Sequence, residues 1–131
     1  MRKMMTLFAA GLTLATAAAD ASPRLSGEEK LAREIEGRVA GDPVQCVPLH
    51  QLRSSRIIDG TAIVYDTGPT IYVNRPRAGA RSLDQFDTLV TRTFSSELCR
   101  SDVVQLFDSA AQMQTGLVFL GDFVPYRKAR R

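Results

Sequence analysis

Two hydrophobic rhythms divide this chain. Between Ser26 and Gly41 the apolar positions Leu31, Ile35 and Val39 recur every fourth residue, with Ala32 beside them, and that spacing predicts a helix docked by one narrow face. Ser26-Gly27-Glu28-Glu29 supplies its start, since a capping box needs a hydroxyl at the N-cap and a carboxylate three residues on, each satisfying a backbone N–H that the first turn leaves free. Glu29 with Arg33, and Glu34 with Arg38, fall at i,i+4 on the wet side. Gly41, Asp42 and Pro43 end the pattern, so the expectation is a helix of about three and a half turns, slightly weakened by Gly37.

Beyond Pro43 the rhythm shortens to that of strands. Residues 44–49 are short and apolar around Cys46. Arg56-Ile57-Ile58 and residues 61–65 flank Asp59-Gly60, a pair that suits the two positive φ values of a tight hairpin turn. Thr67-Gly68-Pro69 marks the next reversal and Thr70–Asn74 returns, which predicts a three-stranded meander centred on residues 61–66. Residues 88–94, 102–108 and 117–124 read as further strands, and apolar side chains on both faces of the last two predict cover on two sides. The pattern as a whole predicts an α+β domain: one N-terminal helix on a mainly antiparallel sheet of about six strands, with closure into a partial barrel left open.

Ahead of the helix, Arg2 and Lys3 precede an uncharged, mostly apolar run over 6–16, and Ala17-Ala18-Ala19-Asp20-Ala21 follows with the small residues a signal peptidase accepts. Residues 1–21 therefore read as a signal peptide cut before Asp20 or before Ser22, too short to serve as a transmembrane segment. The expectation is a secreted, periplasmic protein with one domain over 22–126 and a basic tail over 127–131. Charge changes this picture little. Without Arg2, Lys3 and Asp20 the 17 basic and 14 acidic residues become 15 and 13, and four of those bases are Arg127, Lys128, Arg130 and Arg131. The body then holds 11 bases against 13 acids, so the basic character describes a terminus and no nucleic-acid partner is expected. For the tail the readings are a solvated end or a weak contact with anionic surfaces.

Cys46 and Cys99 are the only cysteines. In an oxidising compartment they read first as one structural disulfide, and closing a loop of about fifty residues restricts the unfolded chain by roughly 4 kcal/mol. Two free buried thiols are the alternative, while redox catalysis has no Cys-x-x-Cys behind it. The connection over 75–87 is long for a hairpin, and Arg75, Arg77 and Arg81 in it form a candidate anion-contact loop. Asp84 and Asp87 partly neutralise it, so a solvated loop with local ion pairs is the competing reading.

Reactive constellations are otherwise sparse. His50 is the only histidine, which leaves a zinc or copper site short of ligands, and the aspartates at 84, 87, 102, 108 and 122 are scattered where a calcium loop would cluster them. Ser54, Ser55, Ser95 and Ser96 are available to His50 as nucleophiles, but no Gly-x-Ser-x-Gly elbow frames any of them. Phosphate-binding glycine motifs are absent. With no tryptophan, Tyr65, Tyr72, Phe94, Phe107, Phe119, Phe123 and Tyr126 read as core or cross-strand pairs before they read as a ligand platform. No catalytic, cofactor-binding or metal-binding residue is expected.

Several short motifs occur in a telling order: Cys46-Val47-Pro48-Leu49, Ser54-Ser55-Arg56-Ile57-Ile58-Asp59, Tyr72-Val73-Asn74-Arg75-Pro76, Leu98-Cys99 with Asp102, and Leu120-Gly121-Asp122-Phe123. In these the chain, from residue 44 onward, resembles a bacterial family of small secreted proteins of unknown function. The resemblance implies export and a compact β-rich body, and it supplies no activity or site. Members of that family often carry two further cysteines, near Ala80 and Val118 here, and their joint absence implies that Cys46 is left with Cys99. The functional expectation is a non-catalytic envelope binding or structural module with an unidentified envelope partner or ligand. The alternatives are a small Ser/His hydrolase and an inhibitor-like module that binds a partner through the 75–87 loop or the tail.

Overall fold

The computed structural model describes residues 23–130; the signal peptide expected over 1–21 lies outside them, as does Arg131. Helix α1 (Gly27–Glu34) begins with the capping box the sequence predicts, the Glu29 N–H donating to Ser26 Oγ at 3.2 Å and the Ser26 N–H to Glu29 Oε2 at 2.7 Å. It ends well before Gly41. Ile35 is the C-cap, and Gly37 at φ 72° takes the left-handed conformation that turns the chain out of the helix. Val39, expected on the helical stripe, lies instead in β1 (Arg38–Ala40) and is 60% exposed. A four-residue apolar repeat does not say where between its members a helix stops; the glycine does.

Nine more strands follow: β2 (Cys46–Pro48), β3 (Ser54–Ile58), β4 (Ala62–Asp66), β5 (Thr70–Asn74), β6 (Thr88–Thr91), β7 (Glu97–Cys99), β8 (Val103–Asp108), β9 (Met113–Phe119) and β10 (Phe123–Lys128). Every pairing is antiparallel. The fold is α+β as expected, but among the described residues ten strands form three open sheets, ordered β1-β10-β5-β4-β3, β2-β7 and β6-β8-β9, and none closes into a barrel. The meander β3-β4-β5 is the one predicted. Its first turn differs: Ile58 pairs with Ala62 across three residues, and Gly60 at φ 61° enters the positive region while Asp59 does not. The segment over 117–124 is not one strand. It breaks at Leu120-Gly121-Asp122, so that β9 and β10 belong to different sheets. β10 also runs through Lys128, with Arg127 opposite Thr70 and Lys128 opposite Arg38, so two bases of the expected tail are strand residues.

The core lies in two layers, one on each face of the five-stranded sheet. Leu31 of α1 packs with Ile58, Ala62, Val64, Ile71 and Val73, flanked by Ile35 and Tyr126. On the opposite face Ile57, Ile63, Tyr65 and Phe123 meet Val104, Leu106 and Val118 of the three-stranded sheet and Val47 and Leu98 of the two-stranded one. Burial on two sides, expected of 102–108 and 117–124, therefore belongs to β4 and β5, whose residues are nearly all buried. In β8 and β9 only alternate residues are buried, because nothing among the described residues covers the outer face of their sheet. The disulfide is formed, joining Cys46 to Cys99 directly across the β2–β7 pair.

Candidate functional site

The end of the large sheet at which β4 turns into β5 gathers three arginines from distant parts of the chain. Arg127 lies on β10 opposite Thr70, and its Nε donates to the Thr70 hydroxyl at 3.2 Å. That buried threonine is itself held, its carbonyl accepting from Thr67 Oγ1 at 2.8 Å. Arg38 on β1 donates through Nη1 to the carbonyls of Tyr126 and Pro69, at 3.3 and 3.4 Å. Arg53 enters β3 with its N–H on the Asp66 carbonyl at 2.8 Å, and its guanidinium lies so close over Gly68 that a β-carbon there would sit 2.9 Å from Nη1.

Between these residues opens a groove of about 450 Å³ lined by His50, Arg53, Thr67, Thr70, Tyr72 and Arg127. No carboxylate lines it. Asp66, the nearest acid in sequence, turns its side chain onto the Gly68 N–H at 2.6 Å. Among the described residues Arg38, Arg53 and Arg127 form no ion pair, whereas Lys30, Arg56, Arg75 and Arg100 each face a carboxylate within 3.2 Å. Two guanidinium groups in the lining, that of Arg127 held on the Thr70 hydroxyl, with threonine and tyrosine hydroxyls between them, form an arrangement suited to carboxylate, phosphate or sulfate oxygens.

The arginines singled out from sequence do not gather. Arg75 makes a bidentate pair with Glu28, at 2.7 and 2.9 Å, and the hydrogen bonds from Arg75 hold the Glu28 carboxyl below its ordinary range. Arg77 donates to the Leu120 and Arg100 carbonyls at 2.7 and 3.2 Å, beside the disulfide. Arg81 is exposed on a single 3-10 turn (Ala80–Ser82) and makes no hydrogen bond among the described residues. No local pattern marks Arg53, and sequence places Arg127 only in a basic tail: the pairing of β10 with β5 brings residue 127 to residue 70.

His50 sits exposed on the 3-10 turn Leu49–Gln51 and forms no hydrogen bond with Ser54, Ser55, Ser95 or Ser96. Ser54 and Ser55 border a separate hollow of about 230 Å³, and the Ser95 hydroxyl donates to the Glu97 carbonyl at 3.0 Å. Cys46, Glu97 and Cys99 bring potential ligand atoms within 4.8 Å of one another, but the two sulfurs are bonded to each other and offer no thiolate. The Tyr65 hydroxyl is buried without a hydrogen-bond partner among the described residues, and burial pushes its pKa well up, so the phenol stays protonated.

No family model, curated protein or solved structure matches the chain. Among the described residues no helix is long and apolar enough to cross a membrane.

Proposed function

We propose that this is an exported, non-catalytic envelope protein that binds an anionic component of the envelope, a carboxylate- or phosphate-bearing polymer or lipid headgroup, in the groove between Arg53 and Arg127. The observation that carries the reading is the absence of any carboxylate from a cavity lined by two arginines. Their charge is not consumed within the fold, so an incoming anion does not have to displace an internal partner. The disulfide and the signal-like N-terminus support export, as does the resemblance to small secreted bacterial proteins. Export also accounts for the staple itself, because a domain of this length has a modest core and a cross-link adds a large share of its stability.

Isothermal titration with polygalacturonate and with purified lipopolysaccharide tests the proposal. Binding is expected to weaken by at least tenfold in the double variant Arg53→Ser, Arg127→Ser and to persist in Arg81→Ser, which removes a base elsewhere. Raising the salt concentration weakens it further, since the contact is between charges. Equal binding by the wild type and the double variant, or binding by neither, overturns the assignment. A second reading, hydrolysis by His50 with a serine, requires a hydrogen bond that the structure does not form.

A further inference from the structure

Strand edges differ sharply in how they are defended. β1, β2 and β7 are three residues long. β3 presents Ser54, Ser55 and Arg56, the last paired with Glu34 at 3.2 Å. The open side of β9 is partly closed by Ala78, which bridges to Phe119. β6 has no such protection. It pairs with β8 on one side alone, its sequence Thr88-Leu89-Val90-Thr91 carries no charge or proline, and no backbone group of those four residues bonds to anything on the outer side among the described residues. Uncharged, β-branched edges of this kind accept another strand.

The flanks of β6 point to which strand. Phe86 is 83% exposed and Phe94 is fully exposed, one beyond each end of the strand. Both lie four residues from Val90. An antiparallel pair of β6 strands related by a two-fold axis at Val90 brings the turn that carries Phe86 in one copy to the end of the seam at which the other copy carries Phe94, and does so twice. It also sets Thr88 opposite Arg92 and Leu89 opposite Thr91, so no like charges meet. Arg92, which forms no ion pair among the described residues, falls at the same end of the seam as Phe86 of the other copy, and a guanidinium attracts an aromatic ring.

We infer that β6 is the self-association edge of this protein, through which two copies join their three-stranded sheets into one of six strands. The strand is short, so the dimer is weak, with a Kd on the order of 100 μM. Cysteine cross-linking of the mature protein under mild oxidation reads the register directly, with mass spectrometry confirming that Cys46 and Cys99 remain joined. Val90→Cys is expected to cross-link with itself, because opposed residues in an antiparallel pair lie within disulfide reach. Thr88→Cys is expected to remain mostly uncross-linked alone and to link efficiently when mixed with Arg92→Cys. Analytical ultracentrifugation gives the second measurement: Phe94→Asp, at a side chain that contributes nothing to the core, is expected to weaken the dimer at least tenfold with its circular dichroism unchanged. A wild type that stays monomeric to about 1 mM, well above that Kd, overturns the inference. So does a dimer indifferent to Phe94→Asp, or self-linking of Thr88→Cys equal to that of Val90→Cys. None of these results bears on the arginine groove, which lies on the other sheet.

Discussion

Asn74, wholly buried at the end of β5, tests how the two larger sheets are joined. Its Nδ2 donates to the Gly121 carbonyl at 2.8 Å and its Oδ1 accepts the Gly121 N–H at 2.9 Å, so one side chain satisfies both polar groups of the buried residue at which β9 gives way to β10. Asn74→Ala removes both partners and leaves a buried N–H and a buried C=O unpaired. At about 1–3 kcal/mol for each unsatisfied group, and with some relief from entering water, the expected loss is about 3 kcal/mol. Asn74→Asp is expected to lose at least as much, since a carboxylate accepts the N–H but cannot donate to the carbonyl, and it adds a buried charge. Equilibrium urea unfolding with the disulfide intact measures this. With a slope of about 1.5 kcal/mol per molar for a small domain, the midpoint should fall by about 2 M with the slope unchanged. A shift of less than about 0.3 M in Asn74→Ala, or an Asn74→Asp protein as stable as the wild type, would refute the reasoning.

Three further expectations follow from single contacts. Gly27→Ala should lower the melting temperature although alanine is the better helix former by about 1 kcal/mol, because a β-carbon there meets Thr61 Oγ1 and lies 2.8 Å from the Asp59 carbonyl; calorimetry on the variant checks the sign. The double variant Cys46→Ser, Cys99→Ser should lose about 4 kcal/mol in denaturant unfolding, the chain-entropy value for a separation of 53 residues. Asp59 accepts from Lys30 Nζ at 2.9 Å and from the Gln85 N–H at 2.7 Å, and the Lys30 hydrogen bond leads in holding its pKa below the ordinary 3.8. Its contribution is therefore present above pH 3.8 and lost as pH falls through the lowered value, and Lys30→Met should move the Asp59 carboxyl resonance titration back upward.

What the sequence made legible is local chemistry, and what it hid is long-range pairing. The capping box at Ser26 and Glu29 and the reversals around Gly60 and Gly68 depend on neighbours within a few residues, and all three lie where the pattern placed them. Residues 117–124 failed for the opposite reason. Their run is apolar apart from Gly121-Asp122, and the partner that holds the break at Gly121 is Asn74, 47 positions away. β1 and β7, three residues each, have no periodicity long enough to see and exist because β10 and β2 lie beside them. The groove suffers the same limitation, since its arginines at 53 and 127 lie on separate segments that only sheet order unites.

The charge ledger shows why such a site escapes a reading by composition. A balance near neutrality sums over the chain, but ion pairs remove charges locally and in equal numbers. Glu28, Glu34, Asp59 and Asp122 are each matched to a base in the structure, at the helix face and beside the disulfide. Acids committed there cannot neutralise the far end of the sheet, where Arg38 and Arg127 stand on carbonyls and a hydroxyl instead. Arg127 belongs among the bases that composition assigns to a loose end, yet its place opposite Thr70 makes it a fixed strand residue. A base held by neutral acceptors keeps its full charge for a ligand, whereas one held by a carboxylate does not. The sign and strength of a surface site are therefore properties of pairing, and a chain almost balanced in total can still present a strongly cationic groove.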